Sequence, residues 1–225
     1  MSATVPRSDE ASPWRAGPYS DAVRSGCSPL FLRRADGRLL PLDVERWCAG
    51  ADGADMTVLQ RCEEAVLDIG CGPGRMLVAL SQLGHSTLGI DVSPAAIARA
   101  LRSGGRALHR CVFGDVPNEG RWGTALLMDG NVGIGGNPGT LLERVAEIVV
   151  PGGLLLAEAA PTDVDERFQV RIESGYGEGG ASFPWAQVGI SALAREARSA
   201  GWQDIEQWSS HGRSFIALRS TPRAT

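Results

Sequence analysis

The stretch Val66-Leu67-Asp68-Ile69-Gly70-Cys71-Gly72-Pro73-Gly74 decides how the chain reads. Four strand-forming positions, one of them acidic, run into three glycines. A helical pattern with Met76, Leu77, Leu80 and Leu83 on one side follows. Glycines at such a turn permit a tight bend and let a ligand approach the backbone with no Cβ in the way; close packing of strand on helix asks for the same residues. Outward from this turn, short apolar runs at 65–69, 86–91, 107–113, 124–129 and 153–158 alternate with helical stretches, an α/β pattern. The boundaries carry the expected residues. Gly84 ends the first helix, Ser93-Pro94 open a second that runs to Gly104, and Asn137-Pro138 open a third that stops at Pro151-Gly152-Gly153.

Residues 1–18, rich in Ser, Pro, Ala and charge, read as a mobile tail whose end docks through Trp14 and Tyr19. Asp36-Gly37, flanked by apolar arms over 30–42, predicts a hairpin, and 42–62 looks helical with interruptions at Gly50 and Gly53. Residues 19–64 are therefore expected to form a cap over a main domain spanning 65–221. Beyond Pro161 the chain looks loop-like as far as the glycine-rich 173–180, and is expected to be a mobile cover. A helix near 187–200 and two antiparallel strands, 202–208 and 214–219, complete the pattern.

Composition narrows the chemistry. The chain has 225 residues, 43% of them hydrophobic and 21% charged, the balance of a globular protein. A net charge of -4 argues against nucleic acid as partner. Lysine is absent throughout, which removes Schiff-base chemistry and a phosphate-binding P-loop. No apolar run reaches the ~20 residues of a membrane-spanning helix, and Met1 to Pro13 carry no apolar signal core, so no membrane association and a cytoplasmic location are expected. The five cysteines form no Cys-x-x-Cys pair and the three histidines are dispersed, so free thiols and no metal are expected.

A dinucleotide-binding Gly-x-Gly-x-x-Gly starting at Gly70 would need a glycine at position 75, where Arg75 stands. Instead, Asp68 with Gly70, Gly72 and Gly74 resembles motif I of the class I S-adenosylmethionine-dependent methyltransferases, the small-molecule type. Leu88-Gly89-Ile90-Asp91-Val92 and Phe113-Gly114-Asp115-Val116 follow in the family's order, each acid ending a successive strand. The resemblance covers roughly 65–160 and implies a doubly wound, Rossmann-like, seven-stranded, mostly parallel sheet with an antiparallel last strand. It further implies S-adenosyl-L-methionine as cofactor: Gly70, Cys71 and Gly72 against its methionine and ribose, Asp68 toward its ammonium, Asp91 on the ribose hydroxyls. Val92 would lie on adenine, Asp115 and Val116 at the adenine amino group, and Tyr19 in the cover facing the cofactor.

For the acceptor, the rule that ligands bind beyond the carboxyl ends of parallel strands sorts the candidates. His85 and His109 fall on the other edge, whereas His211, in the turn after the sixth strand, opens on the ligand side and is the expected general base, an exposed turn histidine beside Gly212 being the alternative. Asp129, at the end of the fourth strand, is placed near the transferred methyl as a second catalytic residue. Asn131 and Glu158 are expected to orient the substrate, with Tyr176 and Trp185 as aromatic walls for it. The glycines of 130–136 would either let a flat substrate lie on the chain or let the loop order on binding. The expected activity is methyl transfer to O, N or C of a small specialised metabolite; a cofactor-binding protein of this fold without methyl transfer is the alternative. A homodimer is compatible with the sequence.

Overall fold

The computed structural model describes residues 13–27, 29–175 and 179–221. Strand β3 (Val66–Ile69), buried along its whole length, is the middle one of the five parallel strands in a seven-stranded sheet. Beside it run β4 (Thr87–Asp91) and β5 (Ala107–His109) on one flank, and β6 (Trp122–Leu127) and β7 (Val149–Ala159) on the other, all parallel. The antiparallel pair β10 (Trp202–Ser210) and β11 (Arg213–Ser220) extends the sheet past β7, giving the order β10-β11-β7-β6-β3-β4-β5. Strands buried on both faces must be near-continuously apolar, and Leu154, Leu155 and Leu156 of β7 are.

The helices of this domain begin where local chemistry allows. Ser93 Oγ accepts from Ala96 N at the start of α5 (Pro94–Arg102), and Asn137 Oδ1 accepts from Thr140 N at the start of α6 (Pro138–Ile148). Helix α4 (Arg75–Gln82) follows the glycine turn, and α7 (Ile190–Ser199) precedes β10. Pro151-Gly152-Gly153 lies inside β7 instead of before it: α6 ends at Ile148 and the strand begins at once with Val149. Strand β5 stops at His109, short of the apolar run to 113, because the chain turns there with Gly114 N bonded to Cys111 O at 3.0 Å.

The amino-terminal elements are α1 (Pro18–Ser25), the hairpin β1 (Leu30–Arg34) and β2 (Leu39–Leu42), and the short helices α2 (Val44–Cys48) and α3 (Gly53–Leu59). The segment after Pro161 corrects the loop-like reading: β8 (Asp165–Ser174) and β9 (Phe183–Val188) pair antiparallel, and β8 pairs with β1. A second sheet of order β2-β1-β8-β9 results. Its apolar face carries Leu30, Leu32, Val170 and Ile172, which pack on Tyr19, Ala22 and Val23 of α1. The cap is thus built jointly by the amino-terminal elements and the β8–β9 hairpin.

Candidate functional site

A cavity of about 680 Å³ opens beyond the carboxyl ends of β3, β4 and β6, under the second sheet. That size accommodates a small organic ligand. At its inner end the glycine turn presents its backbone. Gly70 has φ +71, and a Cβ there would stand 2.5 Å from Asn131 Nδ2, so no other residue fits. The Asn131 amide donates to the carbonyls of Ile69 (3.0 Å) and Gly70 (2.9 Å), pinning the turn.

Two carboxyl groups flank this turn. Asp91 lies at the end of β4, where its oxygens accept from Gly72 N at 2.9 Å and Ser93 N at 2.7 Å, leaving lone pairs toward the cavity. Burial raises its pKa above the ordinary value. Asp68, 2% exposed, also lines the cavity, and no group among the described residues is hydrogen-bonded to its carboxyl. Burial first, then the nearby Asp129 and Asp91, push its carboxyl up to about 8. A buried carboxyl in that condition lacks a cationic partner. Tyr19 of α1 and Cys71 close the same end; burial and the charge of Asp91 push both well above their ordinary values. Val92, half-buried, lines the cavity next to Asp91, and its carbonyl is engaged by His109 Nε2 at 2.9 Å.

The opposite end is aromatic. Trp14, Phe183 and Trp185 all line the cavity, with Trp14 at 5.4 Å from Phe183 and 5.8 Å from Trp185, centroid to centroid. The glycines after β6 are what let β9 come this close. A Cβ on Gly133 would stand 2.2 Å from Ala186 O and 2.7 Å from the Trp185 indole. They accommodate a protein strand, and not one of the two roles anticipated from the sequence.

Other expected site residues are placed differently. Asp115 is exposed and Val116 is buried with its N–H donating to Glu119 Oε1 at 2.8 Å; neither lines the cavity. The turn after β5 carries the chain past the cavity before Asp115 is reached, and Arg110, Cys111, Val112 and Phe113 line that side instead. His211 is exposed, bonded to Ser210 Oγ at 2.9 Å, and packed toward Gly53 of α3 rather than the cavity. It occupies the expected end of the sheet but the outermost strand pair. Glu158, 9% exposed, holds Arg213 through both oxygens (2.8 and 2.7 Å) and accepts from Asp129 N at 2.7 Å, so it faces protein, not substrate. Tyr176 lies outside the described residues.

Asp129 does line the cavity, at φ 56, yet its carboxylate is ringed by guanidiniums: Arg46 at 2.6 Å, Arg75 at 2.7 Å and Arg213 at 3.4 Å. A carboxylate so occupied orients the loop after β6 and is a poor proton acceptor. Arg75, 6% exposed, also pairs with the fully buried Asp55, and Arg213 reaches Asp55 at 2.8 Å. This network of Arg46, Arg75 and Arg213 with Asp55, Asp129 and Glu158 ties α2 and α3 to the strand ends. Sequence reasoning missed it: an arginine carries no local mark of its distant carboxylate partner. Among the described residues no group of three or more His, Cys, Asp or Glu is placed to hold a metal ion, and no helix is long and apolar enough to cross a membrane.

Comparison with known proteins agrees with this architecture. Residues 66–153 match the family described as methyltransferase domain. The fold is similar to that of a methyltransferase from Bacteroides fragilis solved with S-adenosyl-L-homocysteine (TM-score 0.74, 18% identity, 90% of this chain and 92% of that one). It is also similar to a Burkholderia thailandensis 1,6-didemethyltoxoflavin-N1-methyltransferase solved with its substrate and S-adenosylhomocysteine (TM-score 0.58, 19% identity, 80% and 82% covered). A sugar N-methyltransferase from a Streptoalloteichus species is a third (TM-score 0.57, 15% identity, 78% and 88% covered). Over residues 66–153 the chain is thus similar to the methyltransferase domain family, and its fold is similar to that of the solved S-adenosylmethionine-dependent methyltransferases.

Proposed function

We propose that the protein binds S-adenosyl-L-methionine across the ends of β3 and β4 and transfers its methyl group to a small-molecule acceptor held under the second sheet. One observation carries this reading. A single cavity runs from the Gly70–Gly72 turn, with Asp68 and Asp91 beside it, to an aromatic end roofed by β9. The residues present fit the cofactor. Gly70 and Gly72 give it bare backbone, Asp91 keeps acceptor lone pairs for ribose hydroxyls, and Asp68 is a buried carboxyl awaiting a cation such as the ammonium. Val92 and Tyr19 flank it.

Bound there, the cofactor supplies a methyl group already activated by its sulfonium. The chain's part is to orient the acceptor and keep water out. The β8–β9 hairpin covers the cavity, Asn131 holds the glycine turn, and the arginine-bound Asp129 fixes the loop after β6. The small-molecule substrates named for the similar structures and the net charge of -4 favour a specialised metabolite over a nucleic acid, and we place the enzyme in the cytoplasm. Calorimetry tests the reading: the protein should bind S-adenosylhomocysteine, and Asp91→Ala should weaken binding at least tenfold. Undetectable binding by the folded protein would overturn it. Cofactor binding without transfer is favoured by one observation, the absence of an available histidine on the cavity lining among the described residues. Mass spectrometry of acceptors after incubation separates the two, since transfer adds one methyl group.

A further inference from the structure

The aromatic end of the cavity is more specific than a greasy wall. Trp14 touches Tyr19 edge-on at 5.0 Å and meets both Phe183 and Trp185, while Phe183 and Trp185 stand at 88° to each other, 6.2 Å apart. Trp14, Phe183 and Trp185 are half-buried and line the cavity, so ring surface remains for a guest. Rings held at steep mutual angles offer both faces and edges, the surroundings in which another aromatic ring gains beyond its area burial.

Two of the three arginines on the lining are held by carboxylates. Arg75 is paired with Asp55 and Asp129, and Arg167 with Asp165 (2.6 Å) and Glu196, so neither is left to receive an anionic acceptor. Arg110 follows β5; its guanidinium donates to His109 O at 2.9 Å and its backbone N–H to Asp91 O at 3.0 Å, which keeps it at the nucleoside end. Among the carboxylates, Asp91 is taken by backbone N–H groups and Asp129 by guanidiniums, and Asp68 lies beside the glycine turn. No histidine lines the cavity among the described residues. The aromatic end therefore lacks both a base to deprotonate an acceptor and a free cation to bind an ionised one.

We infer that the methyl acceptor is a planar, uncharged nitrogen heterocycle, seated against Trp14, Phe183 and Trp185 with its ring nitrogen as nucleophile; the inference rests on the proposed function. Such a nitrogen needs no base. Its lone pair forms the new C–N bond as the methyl carbon–sulfur bond breaks, and that bond's electron pair stays on sulfur. The product ring carries the positive charge, or sheds a proton to water where another ring nitrogen bore one. Face-on aromatic rings are suited to hold the developing cation.

The test uses the full chain saturated with S-adenosylhomocysteine, so that cofactor binding is established first and separately. Three probes of one skeleton are titrated by calorimetry: quinoline, its saturated analogue decahydroquinoline, and the anion quinoline-2-carboxylate. Quinoline should bind at least tenfold tighter than either of the others. Trp185→Leu and, independently, Phe183→Leu should abolish that preference while S-adenosylhomocysteine affinity stays within about twofold, which also shows that each variant is folded. With S-adenosylmethionine in place of the product, quinoline should gain one methyl group by mass spectrometry. Equal binding of the three probes, preference for the carboxylate, or no binding of quinoline by a protein that does bind S-adenosylhomocysteine would overturn the inference and leave the proposed function standing. Failure to bind S-adenosylhomocysteine would instead remove the proposed function beneath it.

Discussion

Asp68→Asn should stabilise the ligand-free protein while impairing cofactor binding. The carboxyl is 2% exposed, and burial together with Asp129 and Asp91 raises it from an ordinary 3.8 to about 8. Ionising it in place therefore costs about 6 kcal/mol, at about 1.4 kcal/mol for each pH unit. The sign follows from linkage. The folded state holds this proton more tightly than the unfolded chain, so its contribution is fully present below about pH 4 and is lost as pH rises toward about 8. Asn cannot ionise. Wild type and Asp68→Asn should thus have similar urea midpoints near pH 4, with the variant gaining steadily to a lead of several kcal/mol at pH 8. Cofactor binding reverses the ranking, because an ammonium beside Asp68 compensates its charge. S-adenosylhomocysteine affinity of the wild type should increase with pH up to about 8, with proton release visible as a buffer-dependent calorimetric heat, and both effects should vanish in the variant. Parallel stability curves for the two proteins across pH 4–8, or an unaltered proton release in Asp68→Asn, would refute the reasoning.

Three further outcomes are expected. Gly133→Ala should push β9 off the loop after β6, since its Cβ would stand 2.2 Å from Ala186 O; a loss of about 1–3 kcal/mol in urea unfolding and faster proteolysis within β9 would register it. Arg213→Met should cost about 3–5 kcal/mol by leaving Glu158 and Asp55 short of a partner, and Arg213→Lys should recover little of it, because Glu158 is held through two guanidinium nitrogens. His211→Ala should leave turnover of a methylated acceptor within about twofold of wild type, since the ring lies on α3 and off the cavity; a hundredfold loss would restore it as the base.

These residues also show what can be read from order along the chain and what cannot. Helix starts such as Ser93 and Asn137 were legible because a cap is a contact between residues three apart. The glycine turn with Asp68 and Asp91 was legible because both acids lie in the last two residues of neighbouring parallel strands. The β8 strand had a readable signal in the alternation of Phe168, Val170 and Ile172 with charged or amide residues, but its closing partner β1 lies more than a hundred residues away and the adjoining glycines pointed to a loop. The arginine network had none, since Arg213 and Asp55 are separated by 158 positions.

His211 is the most instructive failure. Knowing that β10 runs parallel to β7 gives the end of the sheet on which its turn opens, and that much is correct. It says nothing about position across the sheet. With β11 and β7 standing between β10 and β6, three strand spacings amount to about 14 Å, beyond hydrogen-bond reach of anything bound at the β3–β4 turn. A candidate base is therefore located by two coordinates, strand end and strand order. Asp68 and Asp91 satisfy both because β3 and β4 are neighbours, whereas Arg213, from the same distant hairpin as His211, spans part of that gap only by its length and ends on Glu158 and on Asp129, the latter on the cavity lining.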